Sequence, residues 1–298
     1  MSSHAPKKAT ESSAPTLGVV TVTFSPGEHL GKLVDSLPTA TDRDVQLILA
    51  DNGSTDGSPE EQARKHPDWV TFFPTGGNIG YGAAMNEGAA QLRGEVASDY
   101  LLLVNPDVVF HEGAIDAMIR CAEAHPRAGV VGPKIIDIDG SIYPSARAIP
   151  TLRNGIGHAL LSSVWPNNPW TRAYKDGERM DSEREAGWLS GSCMLVRWDA
   201  FEEVGGFDER YFMYLEDVDL CDRLGRAGWS SVWCPDAVIE HARGHVASTH
   251  TAITVPAHHD SAYRFLADRL PAWWQAPVRW VLKVGLKVRS ALIQRNAH

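Results

Sequence analysis

The feature that most constrains the fold is a regular alternation of apolar and amphipathic segments in the first third of the chain. Apolar segments fall at 17–26, 45–54, 69–75 and 99–108, and segments of helical character separate them at 28–37, 58–66 and 82–93. Strands that alternate with helices favour a mostly parallel sheet with right-handed crossovers. The pattern therefore predicts an α/β fold with a Rossmann-like, mostly parallel sheet flanked by helices.

Composition divides the chain into three parts. Residues 1–16 are polar and rich in Ser, Ala and Pro, which predicts a disordered lead-in without a secretory signal. One domain is predicted over 17–255, with a further strand at 187–197 and a linker near Thr251 to Pro256 at its end. Residues 256–298 are predicted to form an amphipathic helical tail.

Charge is distributed unevenly along the chain. The net charge is -9, yet residues 269–298 contain six basic residues and no acidic one. The acidic body argues against nucleic acid as a partner, whereas the basic, tryptophan-rich tail favours an anionic membrane surface. Arg279, Lys283 and Lys287 interrupt the apolar stretch of the tail. The tail is therefore predicted to lie on a membrane rather than to cross it.

Four cysteines are spread along the chain. They are Cys121, Cys193, Cys221 and Cys234, and no two form a C-x-x-C pair. This spacing predicts neither a zinc site nor a dense disulfide framework. A reducing cytosol is the simplest setting for such a chain.

Polar residues stand at the points where the predicted strands end. They are Ser25, Asp51, Asn52, Asn78, Asn105 and Asp107. In open parallel sheets, ligands bind at the carboxyl ends of the strands. We therefore expect four separate loops to meet in one crevice.

Two of these loops have a structural and a functional interpretation. Asp51 ends a strand, where its carboxylate can accept from the N–H of a pyrimidine base, but the same residues also suit a simple turn. The glycine-rich loop GGNIGYGAAMNEG at 76–88 runs into a helix and suits close approach of a phosphate, although such loops are common.

Asp107 is the first of two acidic positions with a chemical interpretation. It follows the apolar run 101–104, so its carboxylate can hold a hard cation together with diphosphate oxygens and water. The alternative is that it only begins a loop. His241 can supply a nitrogen ligand to the same cation, although a lone histidine is more often structural.

The pair Glu216-Asp217 is the second acidic position. Acids in the first turn of a helix are stabilised by its dipole, which is the structural explanation. The preceding Phe212, Met213 and Tyr214 favour instead a partly dry pocket in which one carboxylate acts as a general base.

Taken together, these segments resemble the motif series of the family 2 inverting glycosyltransferases, which have a GT-A fold. The resemblance covers about residues 17–250 and is carried by LADNGSTDGS, GGNIGYGAAMNEG, VNPDV, GWLSGSCMLVR, GGFDERYFMYLEDVDLCDRLGRAGW and the downstream histidine. It implies that residues 17–110 form the nucleotide-sugar half of the domain and residues 111–255 the acceptor half.

The resemblance also implies a role for each matching residue. Asp217 would be the catalytic base with Glu216 beside it, and Asp107 and His241 would hold Mg²⁺ or Mn²⁺. Asn105 stands where the D-x-D motif of the family has its first aspartate. The implied nucleotide-sugar contacts are Thr23, Ser25, Asp51, Asn52, Asn78, Gly80, Tyr81, Asn86 and Asn105. The implied acceptor contacts are Trp188, Ser190, Gly191 and Tyr214.

Within the family, the segments at 143–147 and 165–174 and the tail are similar to members that transfer L-rhamnose. This similarity implies dTDP-β-L-rhamnose as donor and the 3-hydroxyl of N-acetylglucosaminyl-diphospho-polyprenol as acceptor, in cell-wall biosynthesis at the cytoplasmic face of the membrane. Two alternatives remain: a family member that moves another sugar, such as galactofuranose or glucose, and a membrane scaffold that binds nucleotide without turnover.

Overall fold

The computed structural model describes residues 15–150, 182–242 and 251–296 of the protein. Its strands are β1 (Leu17–Thr23), β2 (Val45–Asp51), β3 (Val70–Pro74), β4 (Tyr100–Val104), β5 (Val108–Phe110), β6 (Ala128–Asp137), β7 (Ile142–Tyr143), β8 (Ala146–Arg147), β9 (Arg184–Ala186), β10 (Trp188–Leu189), β11 (Cys193–Arg197) and β12 (Ser230–His241). Its α-helices are α1 (Glu28–Ala40), α2 (Ser58–Lys65), α3 (Tyr81–Leu92), α4 (Ala114–Ala124), α5 (Trp198–Glu203), α6 (Glu216–Ala227), α7 (Thr251–Asp268) and α8 (Ala276–Asn296).

One large mixed sheet forms the centre of the protein. Its main path has the order β3-β2-β1-β4-β11-β6-β12-β5, and β7 and β9 pair with β6 and β12 at its side. The first four strands of that path are parallel, as are β6 and β12. β11 lies antiparallel between β4 and β6. The predicted α/β fold with a parallel, Rossmann-like first half is therefore confirmed.

The apolar strands are buried because helices cover both faces of the sheet. Every residue of β1 and of β4 is buried. Two hydrophobic clusters lie on opposite faces, one with Leu33 of α1 and the other with Met85 of α3. A strand that is covered on both faces has no polar side, which explains its continuous apolar run.

The predicted strand at 187–197 is interrupted. Trp188–Leu189 pairs with β8, whereas Cys193–Arg197 belongs to the large sheet. Between them Ser190, Gly191 and Ser192 leave the strand direction and line a cavity. The interruption brings backbone groups to the place where the acidic pair lies.

The predicted linker near Thr251 to Pro256 is wrong, because these residues belong to α7. Thr254, Ser261 and Phe265 are buried at helical spacing, and Phe265 packs with Tyr211 and Val218. Packing of this face outweighs the low helix propensity of proline. The predicted boundary between 255 and 256 therefore falls inside a helix that belongs to the main domain.

The last helix, α8, is amphipathic as predicted and largely exposed. Trp273, Trp274 and Trp280 are 85%, 64% and 66% exposed, and Val281 and Val288 of α8 are also exposed. No helix in the described ranges is both long enough and apolar enough to span a bilayer. Most of the predicted lead-in and the segment 165–174 lie outside the described residues.

Candidate active site

A cavity of about 850 Å³ opens at the carboxyl ends of β1, β2 and β4. The loops that follow these strands meet there with the start of α6, the end of β12 and one side of α7. Twelve of the predicted site residues line it: Asn52, Asn78, Tyr81, Asn105, Asp107, Trp188, Ser190, Gly191, Tyr214, Glu216, Asp217 and His241. The expectation that separate loops converge on one crevice is confirmed.

Asp107 and His241 meet at one end of this cavity. Nε2 of His241 lies 3.1 Å from Oδ1 of Asp107, and both side chains are mostly buried. Burial pushes the pKa of Asp107 upward, but the hydrogen bond and charge of His241 outweigh burial and leave this pKa below its usual value. Asp107 is therefore an anion at neutral pH.

The donor set at Asp107 and His241 fits a hard divalent cation. A carboxylate oxygen and an imidazole nitrogen lie close enough to contact one ion, and the Nδ1 atom of His241 is buried without a hydrogen-bond partner among the described residues. The side chain of Asn105 adds a neutral oxygen in the same cavity. Carboxylate, amide oxygen and imidazole are ligands that magnesium and manganese accept. So few protein ligands leave room for the oxygens of a substrate.

Asp217 lies at the start of α6 and is held by two backbone groups. Its Oδ2 accepts from the N–H of Gly191 at 2.9 Å, and its Oδ1 accepts from the N–H of Val218 at 2.8 Å. Burial raises the pKa of Asp217, and both hydrogen bonds act in the opposite direction. These two donors favour the ionised form, which a general base needs.

Glu216 has a different environment from its neighbour. It is 8% exposed, and its Oε2 atom is buried with no hydrogen-bond partner in the part of the chain that the structure describes. Burial and the negative charge of Asp217 raise the pKa of Glu216 to about 8. At neutral pH the proton of the pair therefore resides mainly on Glu216, and Asp217 carries the charge.

The glycine-rich loop is locked against the segment that precedes α6. Gly80 has φ +97°, and a Cβ there would lie 2.7 Å from the carbonyl oxygen of Phe212. That carbonyl accepts from the N–H of Tyr81 at 2.9 Å. The Tyr81 hydroxyl donates to the carbonyl of Gly191 at 2.8 Å. Tyr81 thus joins the glycine-rich loop to the backbone that positions Asp217.

The turn before α6 is strained and is supported by α7. Tyr214 and Leu215 both have positive φ, at 69° and 63°, a conformation that costs a non-glycine residue about 1–3 kcal/mol. Ser261 of α7 donates to the carbonyl of Met213 at 2.8 Å. The ring of His258 lies 5.4 Å from that of Tyr214. Helix α7 therefore builds one wall of the site.

An aromatic and cationic group forms another part of the cavity wall. The Arg147 guanidinium lies 5.5 Å from the Tyr143 ring centroid and 5.9 Å from that of Trp188. The indole N–H of Trp188 donates to the carbonyl of Ala148 at 3.1 Å. Ser190 adds a hydroxyl beside them. Such a surface suits a sugar ring and a nearby anion.

Five predicted residues do not line the cavity: Thr23, Ser25, Asp51, Gly80 and Asn86. Thr23 donates to Asp51, whose carboxylate also accepts from the N–H groups of Gly53 and Ser54. These contacts hold the loop after β2. Ser25 is hydrogen-bonded to this loop as well. A bond from Asp51 to a base stays a prediction.

Asn86 makes contacts that differ from its predicted role as a nucleotide contact. Its Oδ1 accepts from the N–H of Phe207 at 2.9 Å, and its Nδ2 donates to the carbonyl of the same residue at 2.9 Å. It lies on the second turn of α3 and fastens the loop before α6. These hydrogen bonds give the Asn86 amide its partners within the protein, so the amide does not need a bound nucleotide as a partner.

Sequence reasoning missed three basic residues of the cavity, namely His29, Arg147 and His258. The charge of His29 helps to lower the pKa of Asp107. Arg147 lies in the segment 143–147 and His258 in the tail, and both segments carry the family similarity, which is a usable signal. Nothing local marks His29, because it reaches the cavity from helix α1, which packs there.

The fold and the site define a glycosyltransferase. A family model described as glycosyl transferase family 2 matches residues 18–205, and one described as glycosyl transferase family group 2 matches residues 172–288. The chain belongs to glycosyltransferase family 2. The predictions of an enzyme of this family and of a GT-A fold are confirmed.

Two curated relatives carry more specific names. The chain is 52% identical over 289 residues to the N-acetylglucosaminyl-diphospho-decaprenol L-rhamnosyltransferase of Mycobacterium tuberculosis, and the alignment covers 94% of each protein. It is also 28% identical over 255 residues to rhamnosyltransferase WbbL of Escherichia coli. That alignment covers 84% of this chain and 92% of the relative.

A solved structure of similar fold is that of GalNAc-T7 with UDP, GalNAc and Mn²⁺. The TM-score is 0.55 at 15% identity, over 76% of this chain and 43% of that chain. At this identity the likeness concerns the fold alone.

Proposed function

We propose that the protein transfers L-rhamnose, with inversion, from dTDP-β-L-rhamnose to the 3-hydroxyl of N-acetylglucosaminyl-diphospho-polyprenol. The choice of substrates rests on one observation. The chain is 52% identical, over 94% of both chains, to the mycobacterial N-acetylglucosaminyl-diphospho-decaprenol L-rhamnosyltransferase. The placement of Asp217 and Asp107 in one cavity supports the chemistry. The product would enter cell-wall biosynthesis.

The reaction is a single displacement in which Asp217 is the base. Asp217 accepts the proton of the acceptor hydroxyl as its oxygen forms a bond to the anomeric carbon. The bond from that carbon to the donor diphosphate breaks, and dTDP leaves with the electron pair. Attack from the face opposite the leaving group converts the β-linked donor into an α-linked product.

The departing diphosphate lies in this proposal at the Asp107 end of the cavity. Asp107, His241 and Asn105 would hold Mg²⁺ or Mn²⁺, which when bound neutralises negative charge on the diphosphate. His29 lines the same cavity and adds a nitrogen near Asp107. Asn78 follows β3 and offers its amide to the nucleotide, whereas the Asn52 amide donates to the carbonyl of Gly80 and supports the glycine-rich loop.

The acceptor sugar occupies the side of the cavity walled by Trp188 and Arg147. Trp188 offers a ring face to the N-acetylglucosamine. Arg147 offers positive charge to the acceptor diphosphate. Burial lowers the pKa of His258, so its neutral ring offers a hydrogen bond instead. Tyr214, Ser190 and Gly191 line the same cavity as Asp217 and are available to hold the attacking hydroxyl.

A polyprenyl acceptor places this enzyme at a membrane surface. The exposed Trp273, Trp274 and Trp280 suit the headgroup region, and Lys287 and Arg289 of the same tail suit anionic lipid. We therefore propose a peripheral position on the cytoplasmic face of the cell membrane, with the cavity next to the emerging head group of the acceptor.

A donor and acceptor screen with the full-length protein tests the proposed function. The chain is incubated with Mg²⁺ or Mn²⁺, N-acetylglucosaminyl-diphospho-polyprenol and, separately, dTDP-β-L-rhamnose, UDP-galactofuranose or UDP-glucose. We expect the lipid to gain the mass of one deoxyhexose from dTDP-β-L-rhamnose only, with an α-linkage by NMR.

Two controls make this screen decisive. An acceptor with 3-deoxy-N-acetylglucosamine should give no product, which checks the position of the new bond. The Asp217→Asn variant should bind dTDP but form no product. Transfer from another donor with none from dTDP-β-L-rhamnose would reject the proposed substrate, and nucleotide binding without any turnover would favour a scaffold.

A further inference from the structure

A second group of ligand-type side chains lies outside the active site. Sγ of Cys121, Sγ of Cys234 and a carboxylate oxygen of Glu183 lie within 4.8 Å of one another. These residues come from α4, β12 and the residue before β9. None of them lines the active-site cavity. From this cluster we infer a second metal site that binds a thiophilic divalent cation of the zinc class.

The backbone on both sides of the cluster is shaped around it. The register between β12 and β6 shifts between Cys234 and Val238, so that Cys234 stands at the edge of a β-bulge. Bulges re-aim side chains and are frequent beside functional sites. β9 pairs antiparallel with β12, with Arg184 opposite Trp233, and this pairing brings Glu183 beside Cys234.

His125 completes the polar side of the cluster. It follows Cys121 by one helical turn, and its Nδ1 lies 3.0 Å from the Cys121 carbonyl, to which it must donate. Its Nε2 lies 3.5 Å from Oε1 of Glu183. Nε2 of His125 and the Glu183 carboxylate are thus close enough to contact one metal ion together with the two thiols.

The chemistry of the ligands selects the metal. Two thiolates with a carboxylate and an imidazole suit zinc, whereas magnesium and calcium prefer oxygen ligands. Glu183 and His125 are 43% and 36% exposed, so an ion can enter from solvent. The buried thiols close the inner side. Sequence spacing concealed this site because the two cysteines are 113 residues apart in chain order.

The site would tie three elements together. Helix α4 packs on strand β12, and strand β9 pairs with β12 through a ladder of three residue pairs at this point. A structural zinc ion joins such elements because its binding free energy is available only in the folded state. It would therefore stabilise the acceptor half without taking part in transfer.

Cobalt substitution of the untagged full-length protein tests the inference. With Co²⁺, a thiolate site gives a ligand-to-metal charge-transfer band in the near ultraviolet, which a carboxylate and imidazole site such as that at Asp107 and His241 does not give. We expect the band to saturate at about one equivalent of Co²⁺ per chain and to be lost on displacement by Zn²⁺. Zinc should also protect two of the four cysteines from alkylation, as mass spectrometry would show.

Variants identify the ligands. Cys121→Ala and Cys234→Ala should abolish the band, whereas Cys221→Ala, which removes another buried thiol, should retain it. Glu183→Gln and His125→Gln change exposed side chains and should weaken zinc binding roughly 10–100-fold. These two variants keep the test valid where a cysteine variant does not fold. Asp107→Asn should leave the band intact.

Three outcomes would overturn the site. The first is no thiolate band in the reduced wild-type protein. The second is a band that survives in both Cys121→Ala and Cys234→Ala. The third is a purified protein that is lighter by two hydrogens with these cysteines linked, since a disulfide would then explain their proximity.

Discussion

The N–H of Gly191 donates to Oδ2 of Asp217 at 2.9 Å, and a Cβ at residue 191 would lie 3.1 Å from the Cβ of Asp217. The close approach explains why this position lacks a side chain. We predict that Gly191→Ala displaces the base and lowers kcat by about 10²-fold, since small misplacements of reacting groups have effects of this size. Steady-state kinetics and circular dichroism together would check this.

Gly225→Ala is the matched control for Gly191→Ala. It lies on α6, the helix that carries Asp217, and a Cβ there meets nothing within 4 Å. The control should keep kcat and gain up to about 1 kcal/mol of stability from higher helix propensity. Equal losses of activity in both variants would contradict the proposed steric effect.

The two carboxylates of the acidic pair should respond differently to amide substitution. Asp217→Asn removes the base, so kcat should fall by roughly 10²–10⁴-fold while dTDP binding is nearly unchanged. Glu216→Gln resembles the protonated form that Glu216 adopts at neutral pH, so most activity should remain. Activity assays and calorimetric titration with dTDP measure both effects. The reverse ranking would make Glu216 the base.

Stability should depend on pH through Glu216. Its pKa is raised from 4.5 to about 8 in the folded protein, so between these values the folded state holds a proton that the unfolded state has lost. Stability therefore falls as pH rises through this window, by at most about 1.4 kcal/mol per pH unit. The Tm advantage of Glu216→Gln over wild type should grow from pH 5 to pH 8.

A constant Tm difference across that pH range would contradict the buried proton on Glu216. Asp217 contributes a pH dependence of the same sign, because burial also raises its pKa. Wild type and Glu216→Gln should be compared at equal ionic strength, so that only the titration of the acidic pair differs between them.

The cation requirement should depend on Asp107. Asp107→Asn removes the negative charge that faces His241, so the Mg²⁺ or Mn²⁺ concentration for half-maximal activity should rise at least about tenfold. Asp35→Asn is the control, because Asp35 is an exposed residue of α1 outside the cavity. Metal titrations of activity measure the shift. An unchanged titration in Asp107→Asn would remove it from the cation site.

Membrane recovery should depend on the exposed tryptophans of the tail. Replacing Trp273, Trp274 and Trp280 by Ser should reduce binding to vesicles that contain anionic lipid, while activity on a short-chain soluble acceptor stays close to wild type. Ile138→Ser removes an equally exposed apolar side chain, 83% exposed, from the body of the protein. Vesicle co-sedimentation that is equal in all three proteins would refute anchoring by the tail.

Local pattern predicted the first half of the fold well. Continuous apolar runs became strands because helices cover both faces of the sheet, and polar residues after β2 and β4 reached the cavity because parallel strands end at one edge. Proline and threonine near 251–256 misled the prediction of a linker, because the burial of Phe265 against Tyr211 stabilises a helix there.

The sequence by itself determined the class of fold, the polar strand ends and the acidic pair at the start of a helix, since these follow from periodicity and from local chemistry. Only the tertiary structure decided which residues meet. Asp107 and His241 are 134 residues apart yet lie 3.1 Å from each other, because β5 pairs with β12 at the edge of the sheet. Cys121 meets Cys234 through the packing of α4 on β12. Strand order and helix packing depend on contacts between residues far apart in the chain. No local sequence pattern therefore predicts them.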